Sequence, residues 1–348
     1  MFLSAKVNRQ LLRGSRRALS STSPAPRLFK YADITKTLKP SIKLIDTVEK
    51  AFSLLAKDKV EVPLPMHIGI HETESAGPGD CHIKGGYVEG TETWTVKLAN
   101  VSFYKNLKKG MSPGSGIFIV CSAVNGLPLG VFQENRWMTD MRTGAAGAIS
   151  VRHCVSKDMD TVAFIGAGAI AKAMATSSCL VHKFKQGIAY GLDEKMSQEF
   201  CDDMAKQCGF PFKVVKTAQE AVSQSDVIFT QTPADKQVLQ MSWLKPRVTI
   251  IASGSDQPTK NEIPSDVMKK SKFITDLTRQ CVRVGELRTA VKEGAMKETD
   301  VHAELGEVVN GTKSGRVAGD GIIVVDLTGT GAQDAAIGQY GWDTMKHM

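Results

Sequence analysis

The sequence predicts an α/β protein in which a doubly wound parallel sheet follows an α+β domain. Three observations predict it. From Thr161 onward, short apolar runs alternate with helical stretches, the pattern of βαβ units. In the first such unit, VAFIGAGAIAKAMA (162–175) breaks at Gly166-Ala167-Gly168, between a β-rich run and an Ala/Met-rich run. Ahead of these units, residues 59–135 read mostly as strands, divided by turns such as Gly77-Pro78-Gly79-Asp80 and Asn125-Gly126-Leu127-Pro128.

In chain order, residues 42–58 place Leu44, Val48, Phe52 and Leu55 at helical spacing, which predicts an amphipathic helix. VEVPLP, CHIKGGYV, TWTVKLANVSF, GIFIVCSAV and PLGVFQEN are the expected strands of the first domain. Thr139–Ser150 is expected as a helix of small residues suited to close packing. TVAFIG then leads to a helix over 169–183, GIAYG to one from about Lys195 to Cys208, and FKVV to one around Ala218–Ser223. DVIFTQT, VTIIASG, KFITD and GIIVVDLTG complete the parallel sheet. Residues 328–348 read as a glycine turn and a helix returning to the first domain. The expected division is a presequence at 1–28, a substrate-binding and dimerisation domain at 29–145 plus 320–348, and a dinucleotide-binding domain at 146–319.

The net charge of +8 resides at the N-terminus. Lys6, Arg9, Arg13, Arg16, Arg17, Arg27 and Lys30 are all basic, and no acid precedes Asp33, so removing these seven leaves +1. A nearly neutral remainder offers no basic face for nucleic acid. Leu3, Val7 and Leu11 recur every four residues, Arg9, Arg13 and Arg16 lie on another helical face, and Ser15, Ser20, Ser21 and Ser23 follow. This is the pattern of a mitochondrial presequence, with plastid import or a basic cytoplasmic tail as the alternatives. No run approaches the ~18 apolar residues that a membrane helix needs, so no membrane partner is expected. The seven cysteines are dispersed and form no CxxC, which argues for reduced thiols. His67 and His71 are four apart, but VPLPMHIGIHE reads as extended, so no metal centre is expected.

The glycine turn carries the first functional reading. Gly166 permits a tight turn and Gly168 lets backbone approach a pyrophosphate. Ala171 takes the small position where helix packs on strand, and the helix N-terminus offers free N–H groups. This is the phosphate cradle of a Rossmann-type dinucleotide-binding domain. Gly166, Gly168, Ala171, Asp193, Thr143, Thr230, Thr232, Gly254 and Thr328 form the candidate cofactor set. Gly191 closes the second strand of this domain where an acid commonly holds the ribose. Asp193 comes two residues late, and no arginine follows for a 2′-phosphate, only Lys195. NAD(H) is therefore favoured over NADP(H).

Arg142, in MTDMRTGAAG, is an unusual choice on a small-residue helix unless its fork holds a planar anion. The alternative is a structural ion pair with Asp140 or another acid. Alternation in TWTVKLANVSF sets Thr95 and Lys97 opposite Trp94, Val96 and Leu98, and such a lysine commonly marks a solvated face. Lys84, in CHIKGG, has the same ambiguity. Asp256 follows VTIIASG, at the carboxyl end of a strand where ligands bind, and suits acid/base work or the capping of a turn.

TVKLANVSFYKN, GLPLGVFQENRWMTDMRTGAAGA, AFIGAGAIAKA, SDVIFTQTP, GSDQPTKNEI, HAELGEVVNG and DLTGTGAQDAAIG together resemble the ornithine cyclodeaminase/μ-crystallin family. HIKGGYVEG with VKLANVSFYKN and GSG resembles its imine reductase branch, which includes iminosuccinate reductases and ectoine-utilisation-type proteins. The resemblance implies a homodimer with the C-terminal helix folded onto the first domain. It also implies hydride exchange between a nicotinamide and the Cα of an amino or imino acid. It assigns Lys97 to the family's active-site lysine, Arg142 to its carboxylate-binding arginine and Asp256 to the acid near the Cα nitrogen. An early-strand arginine of the family is missing from PLPMHIG, so either His67 substitutes for it or the second anchor is absent, with Lys84, Lys97 and Arg142 as the other substrate contacts. The expected activity is NAD(P)H-dependent reduction of small α-imino or cyclic ketimine acids. Ornithine cyclodeamination and non-catalytic, crystallin-like ligand binding are the alternatives.

Overall fold

A computed structural model of the chain describes residues 24–348. The amphipathic leader pattern at 3–23 lies outside the described residues. Strand β1 (Arg27–Phe29) pairs in parallel with β7 (Pro128–Phe132), Leu28 opposite Val131. The Arg27 guanidinium also donates to the carbonyls of Lys346 and Met348. A boundary at residue 28 is thus corrected, because Arg27 and Leu28 already belong to the fold.

Helices α1 (Tyr31–Thr37) and α2 (Ile42–Leu55) follow. Ser41 caps α2, accepting from the Leu44 N–H at 3.2 Å, and the expected stripe of Leu44, Val48, Phe52 and Leu55 is buried. Strands β2 (Val60–Glu61), β3 (Met66–Ile70), β4 (Gly79–Val88), β5 (Thr93–Val101) and β6 (Ser115–Ser122) join β7 in a sheet ordered β1-β7-β6-β5-β4-β2, with β3 also on β4. The expected strand VEVPLP ends at Glu61, since Pro63 and Pro65 have no N–H to give a ladder.

Helix α3 (Trp137–Cys154) is longer than the small-residue stretch that announces it. Its Gly144 lies so close to the next helix that a Cβ there would sit 2.3 Å from the Ala173 carbonyl oxygen. The second domain runs through β8 (Thr161–Ile165), α4 (Ala169–Ser178), β9 (Gln186–Tyr190), α5 (Glu194–Cys208), β10 (Phe212–Val214), α6 (Ala218–Gln224), β11 (Val227–Thr230) and β12 (Val248–Ala252). It continues through α7 (Ser265–Lys270), β13 (Lys272–Thr275), α8 (Thr278–Val284), α9 (Glu286–Lys292), β14 (Ala303–Glu304), α10 (Leu305–Val309) and β15 (Ile322–Asp326). All pairs are parallel, in the order β10-β9-β8-β11-β12-β15-β13-β14, and the order reverses at β8/β11.

β15 lies inside this sheet, between β12 and β13. The expected boundary at 319/320 is therefore too early. The run Ile323-Val324-Val325 is fully buried, which a central parallel strand requires. Only after Asp326 does the chain leave, and α11 (Gly331–Met345) returns to pack on β4, β5 and α2 of the first domain. It covers the polar face of β5. Thr93, Thr95 and Lys97 are buried beneath it, while Trp94, Val96 and Leu98 on the other face stay half-buried. Small residues permit the approach: a Cβ on Gly331 would lie 1.9 Å from the Gly85 carbonyl oxygen, and one on Gly338 2.3 Å from Thr95 Oγ1.

Candidate active site

The cofactor candidates meet at the reversal point of the sheet. Gly166 has φ +97°, which a side chain tolerates poorly, and Gly168 begins α4 with no side-chain cap and nothing within 4 Å of a notional Cβ. The first N–H groups of α4 thus face an open cradle, which fits a dinucleotide pyrophosphate. Gln231 donates to the carbonyls of Ile165 and Gly166 at 2.8 and 2.7 Å, and its own Oε1 is buried without a partner among the described residues. Ala171 is fully buried where α4 meets the sheet. Thr230 ends β11, and the Thr232 methyl lies 3.1 Å from the notional Cβ of Gly166. Buried Glu262 accepts from the N–H groups of Thr232 and Gly254, at 2.6 and 3.1 Å, and so ties together the loops after β11 and β12.

Three of the cofactor candidates have other tasks. Asp193 caps α5, its Oδ1 accepting from the Met196 N–H at 2.9 Å. Thr143 turns its hydroxyl back to the Thr139 carbonyl at 2.8 Å. The Thr328 hydroxyl donates to Asp276 at 2.8 Å and accepts from Gln280 at 2.8 Å.

The substrate candidates converge on α11. Lys84 and Lys97 are direct cross-strand partners in β4 and β5, and both are buried. Lys84 Nζ donates to the carbonyls of Thr328 and Gly329 at 3.0 and 2.9 Å. Lys97 Nζ donates to Asp334 Oδ1 at 3.0 Å, and Arg142 Nε reaches the same oxygen at 3.1 Å. Arg142 Nη1 donates to Gln333 Oε1 at 3.3 Å. The partner of Arg142 is thus Asp334, while Asp140 pairs with Arg136. Asp334 is fully buried, and its Oδ2 has no partner among the described residues.

Three cations therefore crowd one carboxylate. Burial, with the Arg142 guanidinium nearby, pushes the Lys84 ammonium below its ordinary range and Lys97 down to about 7. Burial alone would raise the Asp334 carboxyl, but Lys97, Arg142 and Lys84 outweigh it and hold the group ionised.

Asp256 stands on the other wall. Burial opposes its ionisation, yet Lys260, 2.7 Å from Oδ1, together with His82 and Lys84, holds it far below the usual carboxylate range. Its Oδ2 lies 4.0 Å from His82 Nδ1. Burial pushes the His82 imidazole down to about 4. His82 Nε2 lies 3.1 Å from both Asp80 Oδ2 and the Gln257 amide nitrogen. His67 packs against His82 with ring centroids 4.3 Å apart and planes tilted by 46°, so it sits beside the Asp256 wall. The sequence reading missed Asp334, His82, Asp80, Glu262 and Gln257. A signal for two of them was present: in DCHIK, alternation puts Asp80, His82 and Lys84 on one face of β4.

The chain as a whole has counterparts among known proteins. The profile of the ornithine cyclodeaminase/mu-crystallin family matches residues 27–347. The chain belongs to the ornithine cyclodeaminase/mu-crystallin family. Within it, the chain is 31% identical over 211 residues to the iminosuccinate reductase of Paracoccus denitrificans, covering 60% of this chain and 64% of that protein. The structure of Thermococcus litoralis Delta(1)-pyrroline-2-carboxylate reductase in complex with NADH and L-proline matches with TM-score 0.85 and 27% identity, over 92% of this chain and 98% of that one. An archaeal alanine dehydrogenase dimer with bound NAD matches with TM-score 0.84 and 28% identity, over 92% and 96%. Both structural matches extend over nearly all of the described residues, and so over both domains. No helix among the described residues is long and apolar enough to cross a membrane.

Proposed function

We propose that this chain is an NAD(H)-dependent reductase converting small α-imino or cyclic ketimine acids into the corresponding amino acids. The observation that carries the reading is the excess of buried cation. Lys84, Lys97 and Arg142 have Asp334 as their one hydrogen-bonded carboxylate among the described residues. A substrate α-carboxylate supplies the missing anion. Arg142, with its Nε edge fixed on Asp334, and Lys97, with donors to spare, bind that carboxylate and orient the imine. Asp256 stays ionised and stabilises the positive iminium nitrogen. Its depressed pKa suits this electrostatic role and not that of a proton donor. Lys97, at about 7, is suited to exchanging a proton near neutrality. Bound at the Gly166-Gly168 cradle, NAD(H) supplies the hydride that the iminium carbon accepts. The cleft walls keep water from a hydrolysable imine.

NAD(H) is preferred over NADP(H) in this reading. The turn after β9, Gly191-Leu192-Asp193, offers no guanidinium for a 2′-phosphate, and the Asp193 charge lies close by. A homodimer is supported by the apolar outer face of the first sheet, where Ile83, Leu98 and Ile117 align across three strands beside Val96 and Ile119, all half-buried. Import into mitochondria is proposed from the basic, Ser-rich leader, and a fusion of residues 1–35 to a fluorescent reporter tests it against a plastid or cytoplasmic location. Ionised Asp256 also favours a second reading, ornithine cyclodeamination, in which cofactor is regenerated within each turnover.

A substrate panel tests the proposal: cyclic ketimine acids and oxo acids with ammonia, each with NADH and NADPH, and ornithine with NAD+ and NADP+ as well. The expected result is NADH oxidation with an imino or ketimine acid. Ammonia release from ornithine without net NADH oxidation supports the second reading, and binding without turnover of any substrate supports a crystallin-like role.

A further inference from the structure

The antiparallel register of β3 and β4 sets His67 directly opposite His82, and Asp80 lies two residues from His82 on the same face. One ligating atom from each of the three lies within 4.8 Å of the other two. We infer that His67, Asp80 and His82 form a binding site for a divalent transition-metal ion of the zinc class. Two imidazoles and a carboxylate are a donor set this ion takes, with a fourth position left to water.

The hydrogen bonds already show where a cation fits. The Gln257 amide Nε2 lies 3.0 Å from Asp80 Oδ2 and 3.1 Å from His82 Nε2, so lone pairs of both converge on a single donor. Asp80 Oδ2 and His82 Nε2 are 3.1 Å apart, close to the edge of a tetrahedron with bonds of ~2.0–2.1 Å. With His82 Nε2 as the acceptor, its proton sits on Nδ1, the nitrogen that faces Asp256 Oδ2 at 4.0 Å. Carboxylate, histidine and metal then stand in the order that orients ligating imidazoles. The residue opposite Asp80 is Gly69, with nothing within 4 Å of a notional Cβ, and His67 is exposed, so an ion has a path in. Lys260 and Lys84 are engaged elsewhere, Lys260 by Asp256 and Lys84 by the carbonyls of Thr328 and Gly329.

The test is a titration of the full chain, cleared of metal by a chelator, with Zn2+ by calorimetry and Co2+ by visible absorption. The expected result is one ion per chain with a four-coordinate Co2+ band, and affinity reduced on the order of 100-fold or more in His67→Ala and in Asp80→Asn. Absence of binding, or affinity unchanged in His67→Ala, overturns the inference. His67 is exposed, so that variant decides even where Asp80→Asn fails to fold. Both readouts are independent of turnover, so failure here leaves the reductase reading standing, and failure of that reading leaves this one standing.

Discussion

Lys84 and Lys97 face each other across β4 and β5 with both side chains buried. Like charges directly opposed weaken a strand pair. The turn before α11 offsets this with two carbonyls on Lys84, and the first turn of α11 with Asp334 on Lys97. One helix end thus closes the first domain and neutralises only part of its charge. In the proposed function, the remainder recognises an anionic substrate.

Arg142→Lys keeps the charge but loses the planar fork that holds Asp334 and Gln333 and that the proposal also assigns to the substrate carboxylate. A lost charge-assisted hydrogen bond is worth ~1.5–3 kcal/mol, so kcat/KM on the best imine substrate should fall roughly 10- to 150-fold. NADH affinity should hold. Steady-state kinetics with a cofactor titration checks both.

Lys97 sets a pH limb. Its folded pKa, about 7, lies below its ordinary value, so the ammonium form is lost as pH rises through 7. The kcat/KM for an anionic substrate should then decline about tenfold per unit on the alkaline side. In Lys97→Arg, which stays charged, that limb should disappear from the profile, whatever the absolute rate.

Asp256→Asn retains size but removes the negative charge opposite the iminium. The kcat should fall more than KM changes, since the interaction strengthens as positive charge is fixed at nitrogen. Equal kcat in variant and wild type would place the electrostatic partner elsewhere.

Gly331→Ala tests the docking of α11. The added Cβ would lie 1.9 Å from a backbone oxygen of Gly85, which cannot rotate away. Unfolding should be easier by about 1–3 kcal/mol, the range for overpacking, as read from denaturant midpoints.

Much of this fold was legible in the sequence because the second domain is built from local rules. Apolar runs such as Val248–Ala252 and the turn at Gly166-Ala167-Gly168 declare themselves without knowledge of their neighbours. The first domain was less legible. A polar, lysine-bearing strand face such as that of β5 reads as solvated until α11, more than 230 residues later in the chain, is laid on it. Arg142 and Asp256 stood out as isolated charges in small-residue and strand-end settings. Asp334 did not, because an acid in the first turn of a helix is ordinary and only its two buried cations distinguish it. The capping role of Asp193 was not read from the sequence, although an acid at a helix start commonly serves its own backbone. His67 was weighed against His71, four residues on, while its partner lay across the sheet.

The most direct test of the central claim is isotope transfer. The chain is incubated with a cyclic ketimine acid such as 1-pyrroline-2-carboxylate and NADH deuterated at the transferable position, and the product is analysed by mass spectrometry and NMR. The account predicts one deuterium at Cα of the amino acid for each NADH oxidised. A deuterium-free product, or no amino acid formed and no NADH consumed, would contradict it.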